Sequence, residues 1–219
     1  VSFTNQDNKT LAPEKLIPNY YANTFGVFVM EKYDLKKISF TAGVRYDTKK
    51  LNIESTVFEV DSLGNPLRTL KPERITFNSL SGSIGFVYSP IENINLFTNV
   101  GRGWRPPSEF ELYVDGVHEG TGRYERGLKT IAPNSSPKPE ESFNIDMGVR
   151  LNYKQFNIQL SAYRNMVDNF IYPSITGDTI GGLPVFDIKQ LMSTFYGYEY
   201  SIQFQPAKWI VLLVSGDFV

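Results

Sequence analysis

The 219-residue chain contains no cysteine and a single histidine, His118. The lack of cysteine excludes a disulfide framework, thiolate metal sites and a cysteine nucleophile. A single histidine excludes any mechanism that needs two of them. The chain carries 22 Lys+Arg against 23 Asp+Glu, so no basic excess points to nucleic acid as a partner.

Long hydrophobic runs are missing as well. The longest, residues 209–214, falls far short of the roughly 18 residues that a transmembrane helix needs. A helical membrane protein is therefore excluded, whereas a transmembrane β-barrel is not, because its spanning strands alternate in polarity. Residues 1–10 carry no secretory signal, and the chain stops at Val219 inside an apolar stretch. We expect both ends to be cut from a longer chain.

Alternation of apolar and polar residues is the dominant pattern that is present. In residues 38–47, Ile38, Phe40, Ala42, Val44 and Tyr46 fall on one face, opposite polar residues and one glycine. A period of two over eight or more residues predicts a β-strand. The same pattern occupies seven further segments: 20–31, 74–89, 93–102, 143–153, 156–163, 196–204 and 208–219. The sequence thus predicts an all-β chain of about eight long strands.

The connections between these strands alternate in length. Short turns are predicted at 33–37, 90–92, 154–155 and 206–207, and long polar connections at 48–73, 104–141 and 165–192. An up-and-down membrane barrel has short periplasmic turns and long external loops. The pattern therefore predicts a segment of an antiparallel transmembrane β-barrel. Aromatic residues assigned to the turn ends predict an interfacial girdle; they are Tyr33, Tyr46, Tyr88, Tyr153 and Trp209.

The alternation leaves open which face meets lipid. A soluble ligand-binding β-barrel has the same pattern turned inside out. The polar face is made of Asn, Ser, Gly, Gln and Thr with few lysines, which favours a lumen over a water-washed surface. A small, complete outer-membrane barrel with a structural or adhesive role is the second alternative.

The most specific sequence motifs lie in the segment that connects two predicted strands. Residues 95–108 read Asn-Leu-Phe-Thr-Asn-Val-Gly-Arg-Gly-Trp-Arg-Pro-Pro-Ser, and Glu-Leu-Tyr follows at 111–113. The two prolines cannot continue a strand ladder. Residues 116–125 read Gly-Val-His-Glu-Gly-Thr-Gly-Arg-Tyr-Glu, and Pro-Lys-Pro-Glu-Glu-Ser at 137–142 opens the next strand.

In order and spacing, these segments resemble the TonB-dependent outer-membrane receptors, in particular the ferric-siderophore-type branch. The matching family motif comprises Arg102, Trp104, Arg105, Pro106 and Pro107. The resemblance also covers the strand pair from residues 16–20 to 43–47. It implies that residues 1–219 are a partial barrel domain, about eight strands of a larger, 22-stranded plugged barrel, with the plug domain absent.

The resemblance further implies a function in the bacterial outer membrane. The expected activity is uptake of a scarce, large substrate, most closely a ferric siderophore or similar iron chelate, energised by the TonB complex through the missing plug region. The expected partners are that complex, the ferric chelate and outer-membrane lipid. We expect no cofactor and no protein-bound metal, since iron enters only as part of the transported chelate.

The long connection 104–141 holds the candidate substrate-binding residues Tyr113, His118, Arg123 and Tyr124. The tyrosines are expected to cover an apolar chelate or, equally, to hold the loop down, and His118 is either a chelate contact or an ordinary loop residue. Arginines 102, 105, 123 and 126 would attract an anionic complex, although for Arg105 we expect instead a partner within the barrel or at the plug interface. Ser108 does not lie in the strand–turn–helix elbow that presents a nucleophilic serine. We therefore predict that the chain is not an enzyme.

Overall fold

The structure is a computed structural model that describes residues 1–11, 15–60, 62 and 66–219. Two short helices interrupt an otherwise all-β chain: α1 (Glu109–Tyr113) and α2 (Leu128–Ile131). The strands are β1 (Ser2–Asn8), β2 (Tyr20–Asp34), β3 (Ile38–Ile53), β4 (Thr56–Val60), β5 (Pro66–Leu70), β6 (Glu73–Ile91), β7 (Ile94–Arg105), β8 (Asp115–His118), β9 (Arg123–Arg126), β10 (Glu140–Tyr153), β11 (Phe156–Ile180), β12 (Leu183–Ala207) and β13 (Ile210–Phe218). Among the described residues, no helix has the length and apolar character needed to cross a membrane.

Eleven strands form one sheet in the order β1-β2-β3-β6-β7-β10-β11-β12-β9-β8, and β13 also pairs with β12. Neighbouring strands are antiparallel except for β9, which runs parallel to β12 over three residue pairs. One edge of β12 is therefore shared, with β13 along residues 198–207 and β9 along residues 185–187. The separate hairpin β4–β5 lies in the connection between β3 and β6.

All eight predicted strands are confirmed, as β2, β3, β6, β7, β10, β11, β12 and β13. The sheet also contains β1, which the sequence did not predict, because residues 2–8 are polar apart from Phe3 and show no alternation. These residues pair with β2 through their backbone. The prediction of a long loop at 165–192 was wrong. Strands β11 and β12 continue beyond their neighbours to a tight turn at Gly181–Gly182, where both glycines have positive φ, as a two-residue hairpin turn requires.

The registers place the predicted apolar faces side by side. Along β3, Phe40 lies opposite Phe86 of β6 and Tyr33 of β2, and Val44 lies opposite Gly82 and Val29. These apolar residues are exposed in the structure, and together they form one continuous outward face. Tyr33, Tyr88 and Tyr153 lie beside the short turns, as predicted, but Tyr46 lies eight residues along β3 from Ile38. The assignment of Tyr46 to the turn end was therefore wrong.

The buried core lies on the opposite face of the sheet, at the end with the long connections. In this core, Leu112, Val114 and Leu128 of the β7–β10 connection pack against residues of the sheet, which we call the wall, from the strand pairs β2–β3 and β11–β12. Those wall residues are Ala22, Leu51, Ile53, Ile171 and Ile188. The connection is consequently a folded unit that packs against β2–β3 and β11–β12 at once.

Candidate functional site

The candidate site is the folded end of the sheet, made by the β7–β10 connection (residues 106–139) and the β4–β5 hairpin; we call it the loop-side assembly. It begins where Pro106 and Pro107 end strand β7 at Arg105, as the sequence predicted. Ser108 then caps α1: its side chain accepts a hydrogen bond from the Glu111 backbone N–H at 3.1 Å, and Glu111 Oε2 accepts one from the Ser108 N–H at 2.7 Å. This reciprocal capping box fixes the direction in which the connection leaves the wall.

Arg105 ties three elements of the wall and the connection together. Its guanidinium donates to Glu111 Oε2 of α1 at 2.8 Å and to Glu140 Oε2 of β10 at 2.7 Å. Glu140 Oε1 in turn accepts from the Ile171 backbone N–H of β11 at 2.6 Å. Arg105 of the motif, Glu111 and Glu140 therefore form one ionic network, the Arg105 clasp, that links β7, α1, β10 and β11.

The electrostatics of the clasp favour an ionised Glu111. Burial by itself would raise the pKa of this carboxyl group, but the hydrogen bonds from Arg105 and from the Ser108 N–H outweigh it, so the pKa lies below its ordinary value. Glu111 is thus a fixed negative charge that matches the permanent positive charge of Arg105.

A second set of ion pairs anchors the connection to β3 and β6. Lys49 Nζ lies 2.8 Å from Glu109 Oε1, and both side chains are largely buried. Glu73 receives two donors, the Tyr113 hydroxyl at 2.8 Å and Lys129 Nζ at 2.6 Å. Burial, followed by the Glu73 carboxylate, raises the pKa of the Tyr113 hydroxyl, so Tyr113 remains a neutral donor. These contacts link α1 and α2 to the wall across the polar face of the sheet.

The β8–β9 hairpin completes the assembly through side chains and backbone. Tyr124 donates to Asp115 Oδ1 at 2.8 Å, and Asp115 also pairs with Arg68 of the β4–β5 hairpin. Burial, followed by the hydrogen bond to Asp115, raises the pKa of the Tyr124 hydroxyl. On the other side, Arg126 Nε donates to Asp187 of β12 at 2.7 Å. The hairpin is therefore held between β5 and β12.

A buried carboxylate lies at the centre of this hairpin. Glu125 is 1% exposed and pairs with Arg123. Its other oxygen lies 3.3 Å from His118 Nδ1, and the His118 ring faces Phe110 at 5.5 Å between centroids. Arg123 also covers the Phe186 ring at 4.7 Å, a distance typical of a cation–π contact.

A hollow of about 480 Å³ opens between the β4–β5 hairpin and the β7–β10 connection. Its wall combines aromatic and proline surfaces with charged side chains of both signs; it includes Phe58, Arg68, Lys71, Pro72, Glu73, Tyr113, Asp115, Lys129 and Pro133. Mixed apolar and polar walls of this size are typical of small-molecule sites. Within the described residues, no group of three His, Asp or Glu side chains has the arrangement of a metal site.

The predicted substrate-binding residues all lie in the loop-side assembly but at different depths. Tyr113 is 3% exposed, and its small accessible part lines the hollow. This burial corresponds to the alternative in which Tyr113 holds the loop down. Tyr124, Arg123 and His118 lie on the β8–β9 hairpin and make the internal contacts described above. Their contact with substrate stays a prediction.

The motif residues also lie at this end of β7. Trp104 Nε1 lies 3.4 Å from Asp47 Oδ2. Arg102 belongs to the outward face and pairs with Glu141 at 2.7 Å. The residues that sequence reasoning missed are the carboxylates Glu73 and Glu109, which hold Tyr113, Lys129 and Lys49. One available signal was overlooked, since Ser108 followed three residues later by Glu111 is a capping-box pattern.

Three solved structures of known receptors share this architecture. The copper transporter OprC matches with a TM-score of 0.67 and 16% identity over 86% of this chain and 27% of its own. The Serratia marcescens hemophore receptor HasR, solved with its hemophore and heme, has a TM-score of 0.63 and 18% identity over 87% of this chain and 33% of its own. The ferric-catecholate import receptor Fiu from Escherichia coli K12 has a TM-score of 0.60 and 17% identity over 87% and 26%.

At these low identities it is the TM-scores that establish a common fold, and the chain spans about a quarter to a third of the length of each of these receptors. A family model described as "TonB dependent receptor-like, beta-barrel" matches residues 2–218. TonB-dependent receptors are outer-membrane transport receptors and not enzymes, in agreement with the sequence prediction that this chain has no catalytic activity. The resemblance drawn from the sequence motifs is thereby confirmed: the chain belongs to the TonB-dependent receptor family and forms part of its β-barrel.

Proposed function

We propose that this chain is part of a barrel that lies in the bacterial outer membrane and imports a ferric siderophore or similar iron chelate, energised by the TonB complex. The chelate is captured at the loop-side assembly, and the polar face of the sheet lines its route inward. The chain itself makes and breaks no bond of the substrate.

The single observation that carries the membrane part of this proposal is the outward apolar face. Exposed apolar side chains continue from strand to strand, among them Val29, Val44, Ile84, Met147 and Leu160. Soluble monomers rarely expose so large an apolar surface. On β3 this face extends from Ile38 to Tyr46, about 26 Å along the strand and about 20 Å along the membrane normal at a tilt of about 40°. That height suits the roughly 25 Å apolar band of a membrane barrel.

The exposure pattern also favours this proposal over a soluble ligand-binding barrel. In such a barrel the apolar face would be turned inward and covered. Here the buried residues lie on the polar face instead, beneath the β7–β10 connection. A plugged or loop-filled lumen with lipid outside accounts for both faces.

Capture of an anionic chelate is supported by the composition of the hollow. In the lining of the hollow, Arg68 is paired with Asp115 and Lys129 with Glu73. Lys71 adds an excess positive charge to a wall that also contains Phe58 and Tyr113. Cations attract a negatively charged complex, and aromatic surfaces cover its apolar parts. The iron chelate remains the cargo that the sequence motifs imply; OprC, HasR and Fiu differ among themselves in the cargo that their names state.

Uptake of radiolabelled iron by cells that carry the intact receptor tests the proposal. We expect uptake of a ferric tris-catecholate, whose iron centre carries three negative charges, in energised cells, and we expect this uptake to stop when the proton gradient is dissipated or TonB is deleted. Binding to the purified receptor should weaken two- to five-fold in Lys71→Gln, as expected for one exposed charge contact. Lys36→Gln, at a short turn of the opposite end, is the matched control. Uptake that persists without TonB would contradict the proposal.

A further inference from the structure

A polar band lies on the outward face of β2, β3 and β6, next to the loop-side edge of the apolar residues. Lys50 and Arg74 are exposed there, whereas Leu51 and Phe77 of the same strands are buried on the inward face. The strand alternation therefore continues beyond the apolar rows, with polar residues in the outward positions. The polar band contains Asn23, Lys50, Asn52, Arg74, Thr76 and Asn78.

The strand registers bring two cations of the band together. Lys50 lies directly opposite Thr76, and Arg74 lies directly opposite Asn52. Lys50 and Arg74 are consequently diagonal neighbours on adjacent strands, about 7–8 Å apart. Arg74 Nε donates to Asn52 Oδ1 at 2.8 Å. Since a guanidinium has five N–H donors, most of them remain available to a further acceptor.

No carboxylate neutralises this pair of cations. Among the described residues, neither Lys50 nor Arg74 forms an ion pair. Asp7 lies three strands from Arg74 along the same row, about 14 Å away at the usual strand spacing, and it pairs with Lys9. Glu54 follows the end of β3 and contacts neither cation. The band therefore carries an excess positive charge that favours an anion between the two cations.

The height of the band indicates which anion it meets. Lys50 is twelve residues beyond Ile38, and the row of Arg74 is fourteen residues beyond it, or about 30 and 35 Å along the membrane normal at a tilt of about 40°. The apolar band of a barrel is about 25 Å tall, so the cations lie about 5–10 Å above it. A phospholipid headgroup region is about 5–8 Å thick on each side of a bilayer. The row of Arg74 therefore lies beyond phospholipid headgroups, on the side where a barrel has its long external loops.

We propose that the polar band binds the phosphorylated saccharide headgroup of a glycolipid in the external leaflet. A phosphate lies between Lys50 and Arg74, and sugar hydroxyls bond to the amide side chains of the band. The inference rests on the proposed function, because it requires the outward face to meet lipid.

The side chains of the band suit the two parts of this headgroup. Lysine and arginine bind phosphate as a point charge and as a planar fork, respectively. Asparagine side chains both donate and accept hydrogen bonds, as a hydroxyl-rich sugar requires. The exposed Phe25 and Tyr46 lie on the same face below the band and contact the acyl chains, which free phosphate and free sugar phosphates lack.

Native mass spectrometry of the intact receptor in a non-ionic detergent tests this site. The receptor is titrated separately with bisphosphorylated lipid A, with dephosphorylated lipid A and with dioleoylphosphatidylglycerol. We expect tight retention of the bisphosphorylated form alone, and about five-fold weaker retention in Lys50→Gln and in Arg74→Gln, as expected for one cation near a lipid surface. Thr76→Glu, which places a carboxylate directly opposite Lys50, should weaken retention at least as much.

Lysines at the opposite membrane edge supply the matched controls. Lys36→Gln and Lys208→Gln each remove one exposed positive charge beside a short turn, and both variants should retain lipid A like the unaltered receptor. Folding of every variant is checked by its heat-dependent gel migration. Lys50→Gln decides the question if Thr76→Glu does not fold, because Lys50 makes no contact on which the wall depends.

Equal retention of the phosphorylated and dephosphorylated forms, equally tight retention of phosphatidylglycerol, equal losses in controls and site variants, or full displacement by millimolar inorganic phosphate would overturn the glycolipid site. The outcome is separable from the proposed function. A receptor that needs detergent and imports iron but retains no lipid A sinks this inference alone, whereas a detergent-free soluble protein sinks both.

Discussion

At the scale of single residues, the loop-side assembly depends on carboxylates whose partners come from distant parts of the chain. Glu73 accepts from Tyr113 and Lys129, and Glu109 pairs with Lys49. The partners in each pair lie 40 to 60 residues apart along the chain, so no short sequence motif reveals that they are in contact. Sequence reasoning therefore identified Tyr113 as a residue of interest but missed the glutamates that hold it.

Removal of the Tyr113 hydroxyl tests one of these contacts. Tyr113→Phe should lower the free energy of local opening of α1 and α2 by about 1–2 kcal/mol, because a hydrogen bond to a charged acceptor is lost. Amide hydrogen exchange of residues 109–131 measures this change. Tyr196→Phe, at an exposed position of the outward face, should leave the exchange unaltered; an equal effect in both would contradict the assigned contact.

The pH dependence of the clasp follows from Glu111. Its folded-state pKa is below its ordinary value of 4.5, so its ion pair stabilises the assembly above that value and is lost as the pH falls through the folded pKa. We expect the protection factors of the α1 amides, which are exchange rates divided by the intrinsic rate at the same pH, to be independent of Glu111 ionisation between pH 7 and 5 and to fall only in stronger acid. Glu111→Gln should remove this acid-dependent component, and an unchanged acid profile in that variant would exclude Glu111 as its source.

At the scale of elements, Arg105 of β7 pairs with Glu111 of α1 and Glu140 of β10. The sequence motifs predicted the order of these three segments along the chain. We expect Arg105→Gln to loosen the β7–β10 connection by about 1–2 kcal/mol, a range lowered by the partial exposure of the arginine. Proteolysis at residues 106–139 in the intact receptor should quicken. Arg150→Gln, whose arginine contacts Gln159 and the Phe97 ring elsewhere in the wall, is the control and should be cleaved at the unaltered rate.

The element scale also marks how far the sequence predicted the fold. The alternation of apolar and polar residues predicted the eight long strands, because the two faces of each strand lie in different environments. Strand β1 was not predicted, since residues 2–8 contain only one apolar residue, Phe3, and therefore show no alternation. The extension of β11 and β12 was missed because residues 165–192 are rich in turn-forming types, although Gly181–Gly182 is a recognised hairpin signal.

At the scale of the whole molecule, two faces of one sheet have opposite surroundings. The outward face exposes apolar residues in registered rows, while the inward face is mainly polar, with exceptions such as Phe28 and Met30, and is covered at one end by the loop-side assembly. Family membership agrees with this division. The alternation alone left the two faces interchangeable, and the position of the buried core supplied the distinction that the sequence lacked.

The lipid exposure of the outward face is the central claim, and single cysteines introduced into this chain, which has none of its own, measure it directly once any cysteine elsewhere in the receptor is replaced by serine. Leu160→Cys and Ser161→Cys place a fluorophore on opposite faces of β11 in the intact receptor reconstituted in bilayers. Lipids with a nitroxide on the acyl chain should quench the probe at position 160 and leave the probe at position 161 bright. Quenching at 161 and water exposure at 160 would contradict the account.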